Sequence, residues 1–423
     1  MPLLHMSGTR SVNNILLLTL AGADQPGLTA GVTAVLAEYA VNVLDIGQAV
    51  IHSTLSMGVL VETPPDCDHA ALSQAVQAYG TARGMRVRST PVAAESYAQW
   101  VRGQGQARYI ITLLARKITA DQLAKVTAVV YRYGLNIDGI NRLSGRIPLG
   151  ELPALSKACV EFSVRGPLRD LAAFRRDLLE LAAALEVDLA FQQDNMYRRN
   201  RRLVAFDMDS TLIEAEVIDE LAALAGVGEQ VSAITERAMR GEIDFSESFR
   251  TRVALLKGLE EGALLQVAGE LKITEGAEQL IDTLRKLGYK TAILSGGFTF
   301  FARHLQQRLG IDYIYANELD IVDGRVTGNV VGAIVDGARK AELLCQLAVE
   351  EGIDLQQVIA VGDGANDLPM LSTAGLGIAF RAKPLVQQSA EQSISTLGLD
   401  AILYLLGFSD RYQQAAASDV APQ

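Results

Sequence analysis

Cysteine is scarce in this chain. Cys67, Cys159 and Cys345 are the only three in 423 residues, and they lie far apart without metal-site spacing. That argues against a disulfide framework and points to reduced, mostly buried thiols. Long apolar runs are missing too. The run Ile15 to Ala21 is too short to span a membrane and is soon broken by Asp24, Pro26 and Gly27. No basic start, apolar core and small-residue cleavage site opens the sequence, so a cytoplasmic protein with no membrane partner is expected. Basic charge is in deficit: 38 Lys and Arg stand against 49 Asp and Glu, a net charge of −11. Nucleic-acid phosphates need clustered cations, so no nucleic-acid partner is expected. Histidine is sparse as well, and His5, His52, His69 and His304 fall in no motif.

What is present suffices for large cores, with 49% apolar and 21% charged residues. The length predicts two or three domains. The first half repeats itself. A constant shift of 94 positions carries Leu20-Ala21 onto Leu114-Ala115, Val32-Thr33-Ala34-Val35 onto Val126-Thr127-Ala128-Val129, and Tyr39, Asn42 and Ile46 onto Tyr133, Asn136 and Ile140. Ungapped self-similarity of this kind indicates two copies of one small domain. Each copy reads as an apolar strand, a helix with apolar residues at helical spacing, a turn at Asn42 or Asn136, further strands, a second helix and a last strand. The order βαββαβ is ferredoxin-like.

The two copies resemble ACT domains, small modules that often bind amino acids. In the first, Asp24-Gln25-Pro26-Gly27-Leu28 is similar to the strand-to-helix turn where such domains hold an effector. Gly27 admits close backbone approach, and a helix N-terminus offers N–H groups to a carboxylate. Asp24 and Gly27 are the candidate effector residues. The second copy departs here, with Arg116-Lys117-Ile118-Thr119 at the turn. The expected organisation is a tail (1–12), ACT-like domains at 13–95 and 107–191, a solvated linker (192–202) carrying the Arg198 to Arg202 run, a catalytic domain at 203–410, and a tail (411–423).

From Leu203 the pattern changes. Short apolar runs, Leu203 to Phe206, Thr291 to Leu294, Val358 to Val361 and Leu376 to Ala379, alternate with helical segments. Buried strands alternating with helices predict an α/β, Rossmann-like, doubly wound parallel sheet. Active sites in such sheets lie at the carboxyl ends of strands. Asp207 and Asp209 follow the first run; being two apart, they can face one pocket. Carboxylates so close repel, and a divalent cation or a shared proton relieves this. Asp363, in Gly362-Asp363-Gly364-Ala365-Asn366-Asp367, can complete an oxygen-rich site of the kind Mg²⁺ favours. Ser295-Gly296-Gly297 follows another run and can hold phosphate oxygens. Lys340 offers a cation to the same group. Singly, each of these is commonplace; four in order at successive strand ends are not.

This order resembles the motif set of the haloacid dehalogenase-like phosphatases, from about Leu203 to Leu406. The resemblance implies Asp207 as nucleophile and Asp209 as general acid and base. It also implies Mg²⁺ on Asp207, Asp363 and the Asp209 backbone carbonyl. Ser295, Gly296 and Lys340 would bind the phosphoryl group, Asn366 would order it, and Gly297 and Asp367 would support the site. The helical segment at about 212–271 would be a cap that chooses the substrate. Glu216, Met239, Phe245 and Arg252 have the spacing seen in phosphoserine phosphatases. That implies O-phospho-L-serine as substrate, with Glu216 on its ammonium, Arg252 on its carboxylate, and Met239 and Phe245 as an apolar wall. The expected function is the last step of L-serine biosynthesis, with L-serine as a possible effector and a homodimer as the expected assembly. A phosphotransferase or phosphatase for another small phosphomonoester such as homoserine phosphate, and an amino-acid sensor with vestigial catalysis, are the alternatives.

Overall fold

The structure, a computed structural model, describes residues 14–148, 150 and 155–411. The chain forms two compact units, Met1–Gln106 and Ala107–Gln423. The expected terminal tails lie outside the described residues, apart from Arg411.

The first unit runs β1 (Ile15–Ala23), α1 (Leu28–Glu38), β2 (Asn42–Ile51), β3 (Thr54–Glu62), α2 (His69–Thr81), β4 (Arg86–Pro91) and α3 (Ala94–Gly103). Its antiparallel sheet has the order β2-β3-β1-β4. Leu16, Leu18 and Leu20 alternate along β1 and pack against Val32 and Leu36 of α1 and Leu72 and Val76 of α2. Asn42 opens β2 instead of forming a turn. Helix α3 lies in a stretch that carried no prediction; it buries no residue, and Trp100 and Val101 stay exposed.

The second unit begins with the other repeat: β5 (Arg108–Ala115), α4 (Ala120–Arg132), β6 (Asn136–Arg142), β7 (Ala158–Arg165), α5 (Leu171–Leu185) and β8 (Asp188–Gln193). The strand order β6-β7-β5-β8 reproduces the first sheet. Asn136, like Asn42, starts a strand. Thr119 and Gln122 close a capping box at the head of α4.

The segment that follows is not a solvated linker. Arg198 and Arg201 are 1% and 6% exposed, and Arg198 is ion-paired with Glu161 of β7. Asp188 accepts two backbone N–H bonds at 2.8 Å, from Ser395 and Thr396, and the Gln392 amide pairs with both backbone groups of Phe191. These bonds satisfy polar groups that docking buries. The second repeat is therefore built onto the catalytic sheet.

That sheet and its helices comprise β9 (Leu203–Phe206), α6 (Val217–Leu224), α7 (Gly228–Met239), α8 (Phe245–Leu255), α9 (Glu261–Glu270), α10 (Ala277–Lys286), β10 (Lys290–Phe298), α11 (Thr299–Leu309), β11 (Tyr313–Val322), β12 (Arg325–Val331), α12 (Gly337–Glu350), β13 (Val358–Gly362), α13 (Leu368–Thr373), β14 (Leu376–Phe380), α14 (Pro384–Ser389), β15 (Gln392–Ile394) and α15 (Ile402–Leu405). The strand order is β12-β11-β10-β9-β13-β14-β15, all parallel except β12. β9 is central and wholly buried, which is why its sequence is a continuous apolar run. Its neighbours β10 and β13 lie on opposite sides, so the strand order switches at β9 and opens a crevice at its carboxyl end. Asp323 and Gly324, both at positive φ, form the tight turn between β11 and β12.

Helices α6 to α9 form the cap. Its two connections meet at an antiparallel bridge, Ile213 to Ile273. Its far end is tied to the β11–β12 hairpin by backbone bonds between Gly258 and Val326 and between Glu261 and Gly324.

Gly377 lets β14 lie against α13, because a Cβ there would fall on the Leu371 carbonyl. Gly377→Ala is expected to cost about 1–3 kcal/mol. Gly262→Ala on α9, where a Cβ meets nothing, should be neutral or stabilising by up to about 1 kcal/mol. Urea unfolding of the two variants checks the pair; equal midpoints would contradict the packing described.

Candidate active site

The site lies where β9, β10 and β13 end. Asp207 leaves β9 with its N–H bonded to the Val361 carbonyl at 2.8 Å, so β9 and β13 hold it jointly. Beyond it the chain turns instead of continuing as a strand. The N–H groups of Leu212 and Ile213 both point to the Met208 carbonyl, and Ser210 takes φ 54°. A non-glycine residue in that region is strained, a common mark of functional turns. Asp207 and Asp209 thus share a pocket through a turn, with Met208 buried in the core between them.

Lys340, near the start of α12, is completely buried. Its ammonium lies 2.8 Å from Asp207 Oδ1 and 2.7 Å from Asp367 Oδ1. Asp336 caps α12 by accepting from the Arg339 N–H at 2.9 Å. Asp367 also accepts from the Gly364 N–H at 3.0 Å, folding the Asp363 loop onto itself. Thr211 donates to Asp363 Oδ1 at 3.2 Å. Gly362 and Gly364 admit the Asp367 and Asn366 side chains against the backbone.

Ser295-Gly296-Gly297 sits within the end of β10, where pairing with β11 breaks between Leu294 and Phe298. The break frees backbone for a ligand. Ser295 Oγ accepts from the Gly297 N–H at 2.9 Å. Gly297 leaves room for Asp209, and a Cβ on Gly296 would lie 2.9 Å from the Phe245 ring. Phe245 stacks on Phe249, which in turn packs on Phe298.

The electrostatics follow from crowding. Oxygens of Asp207, Asp363 and Asp367 lie within 4.8 Å of one another. Burial pushes Asp207 up to about 8, with Asp367 and Asp363 adding to this and Lys340 opposing it. Burial and Asp367 push Asp363 up to about 7. Burial, then Glu216 and Asp207, hold Asp209 well above the carboxylate range. Burial disfavours the Lys340 ammonium, but its two carboxylates outweigh that and raise it. One lysine does not neutralise three acids, two of them buried and Asp363 half-buried. An all-oxygen donor set with surplus negative charge fits a hard divalent cation. The Asp209 carboxylate stands apart from the cluster and accepts from the Val217 N–H, at the entrance to the cap, at 3.1 Å.

In the cap, Glu216 accepts from Ser210 Oγ at 2.8 Å. Arg252 is half-buried; burial lowers its guanidinium, and its buried Nε has no partner. Glu216 and Arg252 act on each other through charge, each favouring the other's ionised form. The Met239 side chain lies outside the described residues. Sequence reading missed Asn317. Its amide donates to the Gly296 carbonyl and accepts from the Val335 N–H, both at 2.8 Å, bracing the Ser-Gly-Gly segment. Nothing in the strand's sequence set it apart, since Glu318 and Asp320 of β11 are polar too.

In the first unit, Asp24 and Gly27 are exposed, and Gly27 caps α1 at φ 86° with space where a Cβ would stand. The matching turn of the second repeat is already engaged, since Arg116 grips Glu275 with two bonds of 2.8 Å.

Residues 201–375 match the haloacid dehalogenase-like hydrolase family, and residues 14–90 match the ACT domain. A phosphoserine phosphatase of Streptomyces coelicolor is 41% identical over 401 residues, 95% of this chain and 94% of its own. A phosphoserine phosphatase of Mycobacterium tuberculosis is also 41% identical, over 95% of each chain. The crystal structure of a probable phosphoserine phosphatase from Vibrio cholerae, 34% identical, superposes with a TM-score of 0.57 over 74% of this chain and 90% of that one. The chain belongs to the phosphoserine phosphatases of the haloacid dehalogenase-like hydrolase family, with an ACT domain ahead of the catalytic one.

Proposed function

We propose that the protein hydrolyses O-phospho-L-serine to L-serine and phosphate through a Mg²⁺-dependent aspartyl-phosphate, as the last step of L-serine biosynthesis in the cytoplasm. The observation that carries this is the pair Asp207 and Asp209, one buried and held by Lys340, the other half-buried and turned toward the cap. An Asp207 oxygen attacks phosphorus, and the bond from phosphorus to the serine oxygen breaks. Asp209, protonated through its raised affinity, gives that proton to the leaving oxygen. Asp209 then takes a proton from water, the water oxygen attacks phosphorus, and the acyl-phosphate bond breaks to release phosphate and free Asp207.

Ser295, Lys340 and the glycine N–H groups hold the phosphoryl oxygens, and Asn366 orders the loop beside them. Asp207, Asp363 and the Asp209 carbonyl would hold Mg²⁺, with Asp367 in support. When bound, the ion offsets the charge of the phosphoryl group and its carboxylates. Phe245 closes over Gly296 and excludes water. Glu216 takes the substrate ammonium, and Arg252, whose Nε lacks a partner, takes the carboxylate. L-serine is the effector proposed for the Asp24–Gly27 turn, where α1 offers unpaired N–H groups.

Asp207→Asn should lower phosphate release by about 10³-fold or more; a variant with full activity refutes the covalent step. Chelator should stop turnover of the wild-type protein and added Mg²⁺ restore it, while L-serine in the same assay should slow it. A rate indifferent to chelator removes the metal, and one indifferent to serine removes the effector. Arg252→Ala should raise KM for phosphoserine by about 10–100-fold, the worth of a charge-assisted bond. O-phosphoethanolamine, which lacks the carboxylate, should be turned over equally by wild type and variant. An equal loss on both substrates assigns Arg252 some other task.

A further inference from the structure

Two buried arginines of the segment before β9 differ in one respect. Arg198 has Glu161 as its counter-ion. Arg201 has none: among the described residues no carboxylate lies within ion-pairing distance of it. One of its terminal nitrogens donates to the Gln356 carbonyl, and its Nε, although buried, has no partner. Burial pushes this guanidinium down to about 10. A cation withdrawn from water is normally paired.

Arg201 lines a cavity of about 380 Å³ between the second repeat and the catalytic sheet. Two further polar atoms on its wall are buried without partners, Arg175 Nε and Gln192 Oε1. Glu391 also lines the cavity and its charge reaches Arg201, but it is paired with Arg175 at 3.2 Å, so two guanidiniums share one carboxylate and one positive charge is left over. Water would satisfy the unmatched hydrogen bonds but would not balance that charge. The proposed substrate site has a similar signature: Arg252 is half-buried, burial lowers its affinity for a proton, and its Nε has no partner. There the missing partner is the carboxylate of the substrate.

We propose that this cavity is a binding site for a small oxyanion, carboxylate or phosphate, held by Arg201 with Arg175 beside it. Gln192 Oε1 adds an acceptor suited to an ammonium, so an α-amino acid satisfies all three groups and inorganic phosphate satisfies the arginines. Both products of the proposed reaction belong to this class; the identity of the ligand rests on that reading, whereas the site itself does not. Helix α13, whose last residues form one wall, begins next to Asp367. Occupancy thus bears on the catalytic loop through one short helix.

The test is calorimetric titration of the full-length protein with Mg²⁺, in buffer free of phosphate and carboxylate. Inorganic phosphate and L-serine are added in separate runs to wild type, Arg201→Met and Arg175→Ala. Wild type should bind one more equivalent of at least one ligand than Arg201→Met does. Arg175→Ala, a change on the face of α5 that leaves the core intact, should weaken that equivalent by about 10-fold or more. The ligand that shows the difference identifies the source. Equal stoichiometry and affinity in all three proteins overturn the proposal and leave a water-filled cavity. If Arg201→Met does not fold, Arg175→Ala decides alone: unchanged binding overturns the site. Turnover plays no part in this reading, so a failure of the proposed reaction would leave the result interpretable.

Discussion

A lysine ammonium with no exposure to solvent, held between two carboxylates, is the contact around which the catalytic half is arranged. Lys340 joins Asp207 at the end of β9 to Asp367 in the loop after β13, so one side chain spans two strand ends and the head of α12. Among the described residues it is the one cation ion-paired with the cluster of Asp207, Asp363 and Asp367. Asp207 and Asp363 are both raised despite it, because burial and mutual repulsion exceed what one positive charge offsets. Such a site is poised for further positive charge on one side and phosphoryl oxygens on the other. The close approaches permitted by Gly362, Gly364 and Gly337 serve the same arrangement, since each lets the Asp363 loop fold tightly over the lysine.

The strand and helix pattern was legible because its periods differ: continuous apolar runs for the buried parallel strands, and helical spacing between them. The repeat shift of 94 residues carried the ferredoxin-like order, and the two sheets share one strand order. The site was legible for a related reason, since motif residues had to follow the runs. What could not be read were facts of partnership. Asn317 braces Gly296 and Val335, residues 21 and 18 positions away, and no local pattern encodes that. Arg198 and Arg201 look like solvated charge in sequence, because burial of a charge depends on what docks over it. The strained turn at Ser210 was hidden as well; an extended chain gave the right pocket for the two acids by the wrong local geometry.

The repeats have diverged where their turns meet the rest of the molecule. In the first, Gly27 leaves an open, uncrowded helix start. In the second, Arg116 is bound to Glu275, which also receives Arg381 at 3.0 Å. Glu275 follows the Ile213–Ile273 bridge where the cap connects to the sheet. One copy thus leaves its turn open, while the other has committed the same turn to the root of the cap.

The cap is anchored at both ends, at that bridge and at the β11–β12 hairpin. A lid hinged at one edge can swing as a whole; one tied at two is restrained against that, and what freedom it has lies within α6 to α9.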